Sequence, residues 1–143
     1  MTYRLLKKTD DEDIPLILSV YKQPLISQFI SIDAENYWKY ITSTDNGYFY
    51  KIYKNDILVA TIHLELVDRV LYMSVVVFPE HQKQGIATTI LKDIQAGKFE
   101  LDFDKIQVSI DEKNTASIKL FESAEFVCVG KNTELLEYEY SKG

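Results

Sequence analysis

The hydrophobic pattern of this chain predicts an α/β fold built on one mixed sheet. Three observations carry that reading. Apolar residues at helical spacing occur near the N-terminus and again after residue 85. Between them lie three stretches rich in aromatic and β-branched residues, divided by short turn signals. The last of these ends in Val75-Val76-Val77, apolar on both faces, which suits a strand central in its sheet. With 143 residues the chain is long enough for one domain with a sizeable core, and residues 1–143 are read as that single domain.

Taken in order, Thr2 to Lys7 reads as a first strand. Ile14, Ile17, Leu18 and Tyr21 then recur at i, i+3, i+4 and i+7, one face of a helix. Thr9 and Glu12 have the spacing of a capping box for it, and Pro15 is tolerated only near its first turn. Pro24 ends it. A second helix is expected from Ala34 to Thr42 with Asp33 as its cap. After Asp45-Asn46-Gly47, Tyr48 to Lys54 and Ile57 to Leu66 form a hairpin around Asn55-Asp56. Val67 to Val70 turns the chain into a third strand, Leu71 to Phe78. Ile86, Ile90, Leu91 and Ile94 restore the helical period, and Lys105 to Ile110 is a strand. Asn114 caps a short helix from Thr115 to about Ala124, and Phe126 to Lys131 with Glu134 to Tyr140 make a final strand pair. The expected order is βαα, βββ, α, β, α, ββ, a mixed sheet with flanking helices.

Composition excludes several classes of function. A hydrophobic fraction of 46% and a charged fraction of 27% are those of an ordinary globular protein, not a disordered one. The longest nearly apolar runs, Ile14 to Tyr21 and Leu71 to Pro79, are too short to span a bilayer, so no membrane partner is expected. The first thirteen residues carry two adjacent lysines followed by four acids, unlike a secretory signal, and a cytoplasmic location is the expectation. A net charge of −6 disfavours nucleic acid and favours a cationic ligand such as an amine. The single cysteine, Cys128, allows no internal disulfide; in its apolar run Phe126 to Val129 it is expected to be buried. Metal-ligand spacing is absent, and no metal is expected.

The most informative segment runs from Val75 to Thr88. A buried strand ends at Pro79, a short polar turn follows, and a helix begins near Gly85 to Ala87. The first N–H groups of a helix have no internal acceptors and its dipole favours an anion there, which suits a pyrophosphate. Gly85 and Ala87 are small enough for close backbone approach, Gln82 can donate an amide N–H and Lys83 brings a positive charge. The plainer reading is a strand-to-helix turn with a permissive glycine. Neither a Walker loop nor a dinucleotide fingerprint fits the spacing.

Pro79, Gln82, Gly85 and Ala87 at these spacings resemble the signature of the GNAT superfamily of N-acetyltransferases. A second block, Asn114 to Phe121 followed by Glu125-Phe126, is similar to another family motif, and the two stand at the family spacing. The resemblance is strong from about Tyr48 to Val129 and rests on element order alone in the first 47 residues. It implies a GNAT-like fold: a central, mixed, mostly antiparallel sheet with a splayed parallel strand pair, here Leu71 to Phe78 and Lys105 to Ile110. It implies acetyl-CoA as cosubstrate, with Val75, Val76 and Val77 along the pantetheine arm. Gln82, Lys83, Gln84, Gly85, Ile86, Ala87 and Thr88 would cradle the pyrophosphate, and Asn114 and Phe121 would flank the thiol end. The implied reaction is acetyl transfer to a primary amine of a small molecule or peptide, by direct attack on the thioester with a backbone N–H near Val75 to Val77 stabilising the oxyanion. Homodimers are common among members; the oligomeric state, the amine and the range of acyl groups stay open.

Two positions depart from the family pattern. Phe121 stands where many members carry a tyrosine that protonates the departing thiolate, so water, Ser117 or another tyrosine would have to serve. Met73 and Ser74 occupy positions where many members place a carboxylate base. On the preceding strand, alternation puts His63 and Glu65 on one face, where Glu65 can act as a base through a water, or the pair can simply be a solvated strand face. Tyr37, Trp38, Tyr48 and Tyr50 either line an acceptor pocket or pack in the core. The departures also motivate an alternative, a non-catalytic acyl-CoA-binding regulatory module.

Overall fold

A computed structural model describes residues 1–29 and 32–142. The elements are β1 (Thr2–Leu5), α1 (Ile14–Tyr21), α2 (Pro24–Ser27), α3 (Ala34–Ser43), β2 (Gly47–Lys54), β3 (Ile57–Val67), β4 (Val70–Val77), α4 (Ile86–Gln95), β5 (Lys105–Asp111), α5 (Thr115–Ser123), β6 (Val127–Asn132) and β7 (Leu135–Ser141), with a 3₁₀ turn at Pro79–His81. The seven strands follow the order β1-β2-β3-β4-β5-β7-β6, which puts β4 in the middle, as its run of valines requires. β4 and β5 are parallel, while β1–β2, β5–β7 and β6–β7 are antiparallel. Among the described residues no helix is long and apolar enough to cross a membrane.

The element order matches the sequence reading, with α2 and the 3₁₀ turn added. Pro24 ends α1 and also opens α2: Gln23 before it is extended (φ −67°, ψ 139°), the backbone that a following proline imposes, and Pro24 then sits where a helix needs no N–H. Both hairpin turns are left-handed at both central residues, Asn55 and Asp56 (φ 52° and 66°) and Asp68 and Arg69 (φ 50° and 66°), the backbone that matches strand twist in two-residue loops.

The chain divides into two compact units, Met1–Leu64 with Val75–Gln82 and Glu65–Ser74 with Lys83–Gly143. The core of the first joins α1 residues Ile17 and Val20, α3 residues Trp38 and Ile41, Phe49 of β2 and Val76 of β4. Tyr21 sends its hydroxyl to Thr61 Oγ1 at 2.6 Å in this core, and burial pushes its phenol up to about 12. In the second unit α4 buries Ile86, Ile90, Leu91 and Ile94, one helical stripe, and β5 buries Ile106, Val108 and Ile110, one strand face.

Three local expectations fail for identifiable reasons. The Thr9–Glu12 capping box does not form, since α1 starts at Ile14 after Asp13, which makes no side-chain cap bond. Instead Asp11 Oδ1 accepts the Asp13 N–H (2.8 Å), and the Asp13 carboxylate turns away to accept from Lys51 Nζ (2.9 Å) and from the Tyr53 hydroxyl. Asp33 precedes α3 without a side-chain cap bond, its carboxylate taking the Asn36 side-chain amide at 2.9 Å. Cys128 is exposed, not buried. The apolar run that contains it lies on β6, the edge strand, all six of whose residues are exposed.

Lys51 is the buried charge of the first unit, 7% exposed, bridging Asp11 (2.8 Å) and Asp13 (2.9 Å). Burial alone would raise the Asp13 carboxyl, but bonds from Tyr53 and Lys51 outweigh it and hold the group below its ordinary value. Burial alone would likewise lower the Lys51 ammonium, and its bonds to Asp11 and Asp13 hold it above the usual lysine range. A carboxyl depressed by folding stabilises above its unfolded value of about 3.9, and that stability is lost as pH falls through the folded value. We therefore expect Lys51→Met to cost about 3 kcal/mol at pH 6, because it strands two half-buried carboxylates. The loss between pH 6 and pH 3 should be smaller in the variant than in the wild type. Urea unfolding at both pH values checks this, and equal pH dependence in the two proteins would refute it.

Candidate functional site

The parallel pairing of β4 with β5 joins Val70 to Lys105, Leu71 to Ile106 and Tyr72 to Gln107. Among the described residues the ladder runs no further, although β4 continues to Val77 and β5 to Asp111. β5 is held straight on its other side by seven consecutive pairs with β7, from Lys105–Ser141 to Asp111–Leu135. The closed end is clamped by Arg69. Its guanidinium grips Asp104 through Nε (3.0 Å) and Nη2 (2.9 Å) and Asp102 through Nη1 (2.9 Å) and Nη2 (3.0 Å), two fork-to-fork pairs. The Arg69 carbonyl accepts from Asp104 N at 2.8 Å.

The other edge of β4 faces β3. The Asp68–Arg69 turn aligns Val67 with Val70, and the bond from Phe78 N to Val59 O (2.9 Å) lies in the same register. Counting along it sets Val75 across from Ile62, Val76 across from Thr61 and Val77 across from Ala60. In an antiparallel pair the main-chain bonds fall on alternate residues. Val76, two residues before Phe78, therefore directs its N–H and C=O toward β3, whereas Val75 and Val77 direct theirs away from it. Of the three valines it is Val75 and Val77 whose main chain can meet an extended ligand. The Val77 carbonyl accepts the Gln82 side-chain amide at 3.2 Å. Gln82, expected to donate to phosphate, thus commits one amide hydrogen to its own strand.

The polar turn leads into α4 through two left-handed residues, Lys83 (φ 64°) and Gly85 (φ 77°), the latter at the N-cap. Among the described residues the six amides from Lys83 to Thr88 have no acceptor, and the first to find one is Thr89, bonded to the Gly85 carbonyl at 3.1 Å. Gln82 to Gly85 are exposed and Ala87 and Thr88 half-buried, whereas the Ile86 side chain is buried and only its main chain is available. A Cβ on Gly85 would meet nothing within 4 Å. Gly85 is thus needed for its backbone conformation and not for lack of room.

On α5, Asn114 is the N-cap that its position predicts, with Oδ1 accepting Ser117 N at 3.2 Å. Phe121 is buried, its ring edge-on to Phe126 at 5.0 Å between centroids. On β3, burial along one face falls from Val59 and Thr61, both buried, to His63 and Glu65, half-buried, and then to exposed Val67. His63 is not a merely solvated residue: its Nδ1 lies 2.5 Å from the Tyr37 hydroxyl of α3. Trp38 is core, 5% exposed, while Tyr37, Tyr48 and Tyr50 are half-buried. The Arg69 clamp and the Tyr37–His63 bond had no sequence signal, because each joins residues about thirty positions apart with no periodic pattern between them. Among the described residues no group of three or more His, Cys, Asp or Glu side chains is arranged to hold a metal ion.

Comparison with known proteins gives the family. The model of the acetyltransferase (GNAT) family matches residues 15–126, and the chain belongs to that family. It is an acetyl-CoA-dependent acetyltransferase. No curated protein matches the chain by sequence. Among solved structures it is similar in fold to spermidine N-acetyltransferase from Vibrio cholerae in complex with CoA and spermine, with TM-score 0.81 and 18% identity over 99% of this chain and 95% of that one. It is also similar to Campylobacter jejuni N-acetyltransferase PseH in complex with acetyl coenzyme A, with TM-score 0.78 and 13% identity over 99% of this chain and 100% of that one. The GNAT domain of S. lividans PAT has TM-score 0.79 and 15% identity over 97% of this chain and 89% of that domain.

The left-handed backbone at Gly85 makes a stability prediction independent of any ligand. Gly85→Ala should lower unfolding free energy by about 1 kcal/mol, the cost of forcing a Cβ into this conformation. Chemical denaturation of the two proteins tests it, and a stabilised variant would show that the loop has another conformation in solution.

Proposed function

We propose that this enzyme transfers the acetyl group of acetyl-CoA to a primary amine of a small molecule or peptide, by direct attack of the amine on the thioester. The observation that carries this reading is the run of six amides from Lys83 to Thr88, which have no acceptor among the described residues, leading into the start of α4. Pyrophosphate oxygens complement those amides, the α4 dipole and the Lys83 charge. The main chain of Val75 and Val77 serves the pantetheine arm, which offers amides of its own at the spacing of an extended chain. An N–H of the same edge stabilises the oxyanion as the thioester carbon becomes tetrahedral. Asn114 and Phe121 flank the thiol end on this reading.

Phe121 has no proton to give, so the departing thiolate takes its proton from water. That is tolerable chemistry, since a thiol with an ordinary value near ~8.5 leaves well compared with an alkoxide. The entering amine is the harder problem. A primary amine near ~10.4 is almost wholly protonated at neutral pH and must lose a proton before it attacks. The proton acceptor lies on β3, where His63 and Glu65 share a half-buried face. A net charge of −6 favours a cationic acceptor, and the crystallised V. cholerae relative is one whose complex holds spermine.

Calorimetry with acetyl-CoA tests the cofactor site. Gly85→Glu should raise Kd at least ~100-fold, since a carboxylate replaces space meant for phosphate, and equal affinity in the two proteins would remove the site from the Lys83–Thr88 loop. Release of free CoA thiol in the presence of polyamines, amino acids and peptides tests the transfer. A protein that binds acetyl-CoA tightly but acetylates nothing across that panel would refute amine transfer.

A further inference from the structure

We infer that His63 is the base that deprotonates the acceptor amine and that Tyr37 is the positioning residue that holds it in the competent tautomer. The inference rests on the transferase reading above and assigns the proton that reading left between two residues.

Placement is the first argument. His63 is one residue along β3 from Ile62, which stands across from Val75. With strands about 4.8 Å apart and a rise of about 3.4 Å per residue, its Cα lies roughly 6 Å from that of Val75. Its side chain shares a face of β3 with Thr61, whose hydroxyl meets Tyr21 of α1, so it points to the helix side of these strands. On that face it is the first polar side chain met as burial gives way to solvent. An amine approaching from the helix side meets His63 before it reaches the Val75 backbone.

Rigidity is the second. Tyr37 stands edge-on to Trp38 (centroids 5.1 Å, 88°) and to Phe49 (6.0 Å, 83°), and Trp38 and Phe49 are themselves edge-on at 5.1 Å. Trp38 and Phe49 are buried at 5% and 1% exposure, so the ring cannot swing away. It also stands edge-on to the imidazole at 5.4 Å and 70°. With the hydroxyl so fixed, the 2.5 Å bond sets the plane and rotation of the imidazole. A solvated strand histidine needs no such mount.

The chemistry then follows. The tautomer that serves donates Nδ1–H to the Tyr37 oxygen and keeps a lone pair on Nε2. Nε2 takes one proton from the ammonium, giving a neutral amine and an imidazolium whose Nδ1–H bond to Tyr37 is unchanged. The amine nitrogen attacks the acetyl carbon, the new C–N bond forms and the C–S bond breaks. The second nitrogen proton is lost as the amide forms, and the CoA thiolate takes up a proton to leave as the thiol. The imidazolium returns its proton to solvent, so protons and charge balance over the cycle.

The test uses the full chain and the acceptor that turns over fastest in the amine panel. His63→Gln should lower kcat by about 10²–10⁴-fold with acetyl-CoA affinity unchanged by calorimetry, and added imidazole should restore part of the rate in His63→Ala. Tyr37→Phe keeps the ring and its packing and should lower kcat by about 10-fold at unchanged KM. Nitrogen-15 NMR gives a readout independent of turnover, since the chain has only two histidines. His63 should show the Nδ1–H tautomer in the wild type and shift toward Nε2–H in Tyr37→Phe. A kcat for His63→Gln within about 3-fold of wild type overturns the assignment, as does a large loss in Glu65→Gln alone. An Nε2–H tautomer in the wild type overturns it too. A wild type that binds acetyl-CoA but acetylates no amine defeats the transferase reading instead, and the inference with it.

Discussion

The parallel ladder of Val70, Leu71 and Tyr72 with Lys105, Ile106 and Gln107 joins β4 to β5 and so carries the strand order of the sheet across its middle. So short a ladder needs a tie at its start and a partner for β5 on its other edge. The first need is met by Arg69, which turns the chain between β3 and β4 and grips Asp102 and Asp104 just before β5 begins. The second is met by the seven-residue ladder from β5 to β7. On the other side, the alternation of the β3–β4 register decides which groups are left over, and it selects Val75 and Val77 over Val76.

The loop after β4 continues the same logic. Among the described residues the amides of the turn and of the helix start, Lys83 to Thr88, have no acceptor. Two residues with positive φ, Lys83 and Gly85, bring the chain from an extended backbone to a helical one within a few residues. Extended polyamide followed by diphosphate is the order of groups in coenzyme A, and extended edge followed by helix N-terminus is the order of donors here.

Around the first unit, polar side chains do a different task. Lys51, Asp11, Asp13 and Tyr53 fasten the start of α1 to β2, and the Tyr21–Thr61 bond fastens its end to β3. The Tyr37–Trp38–Phe49 rings fasten α3. The helices between β1 and β2 are thereby fixed to β2 and β3, and His63 is the β3 residue that meets the Tyr37 hydroxyl of α3.

Much of this was legible before any coordinates. The order of elements, the central place of β4, both two-residue turns and the Asn114 cap follow from local periodicity and turn chemistry, which depend on neighbours in sequence. The family signature was legible for the same reason: Pro79, Gln82, Gly85 and Ala87 lie within nine residues. What misled was also local. Thr9 and Glu12 had capping-box spacing, but the carboxylates beside them serve a lysine forty residues away, and Cys128 had apolar neighbours on a strand that turned out to be the edge. The sequence alone thus determined the fold class and the family. Only tertiary structure decided which valines turn their main chain away from β3, what ties the β3–β4 turn to the start of β5 and which β3 side chain meets the Tyr37 hydroxyl. Those depend on strand register and on partners about thirty residues apart, which no periodic pattern encodes.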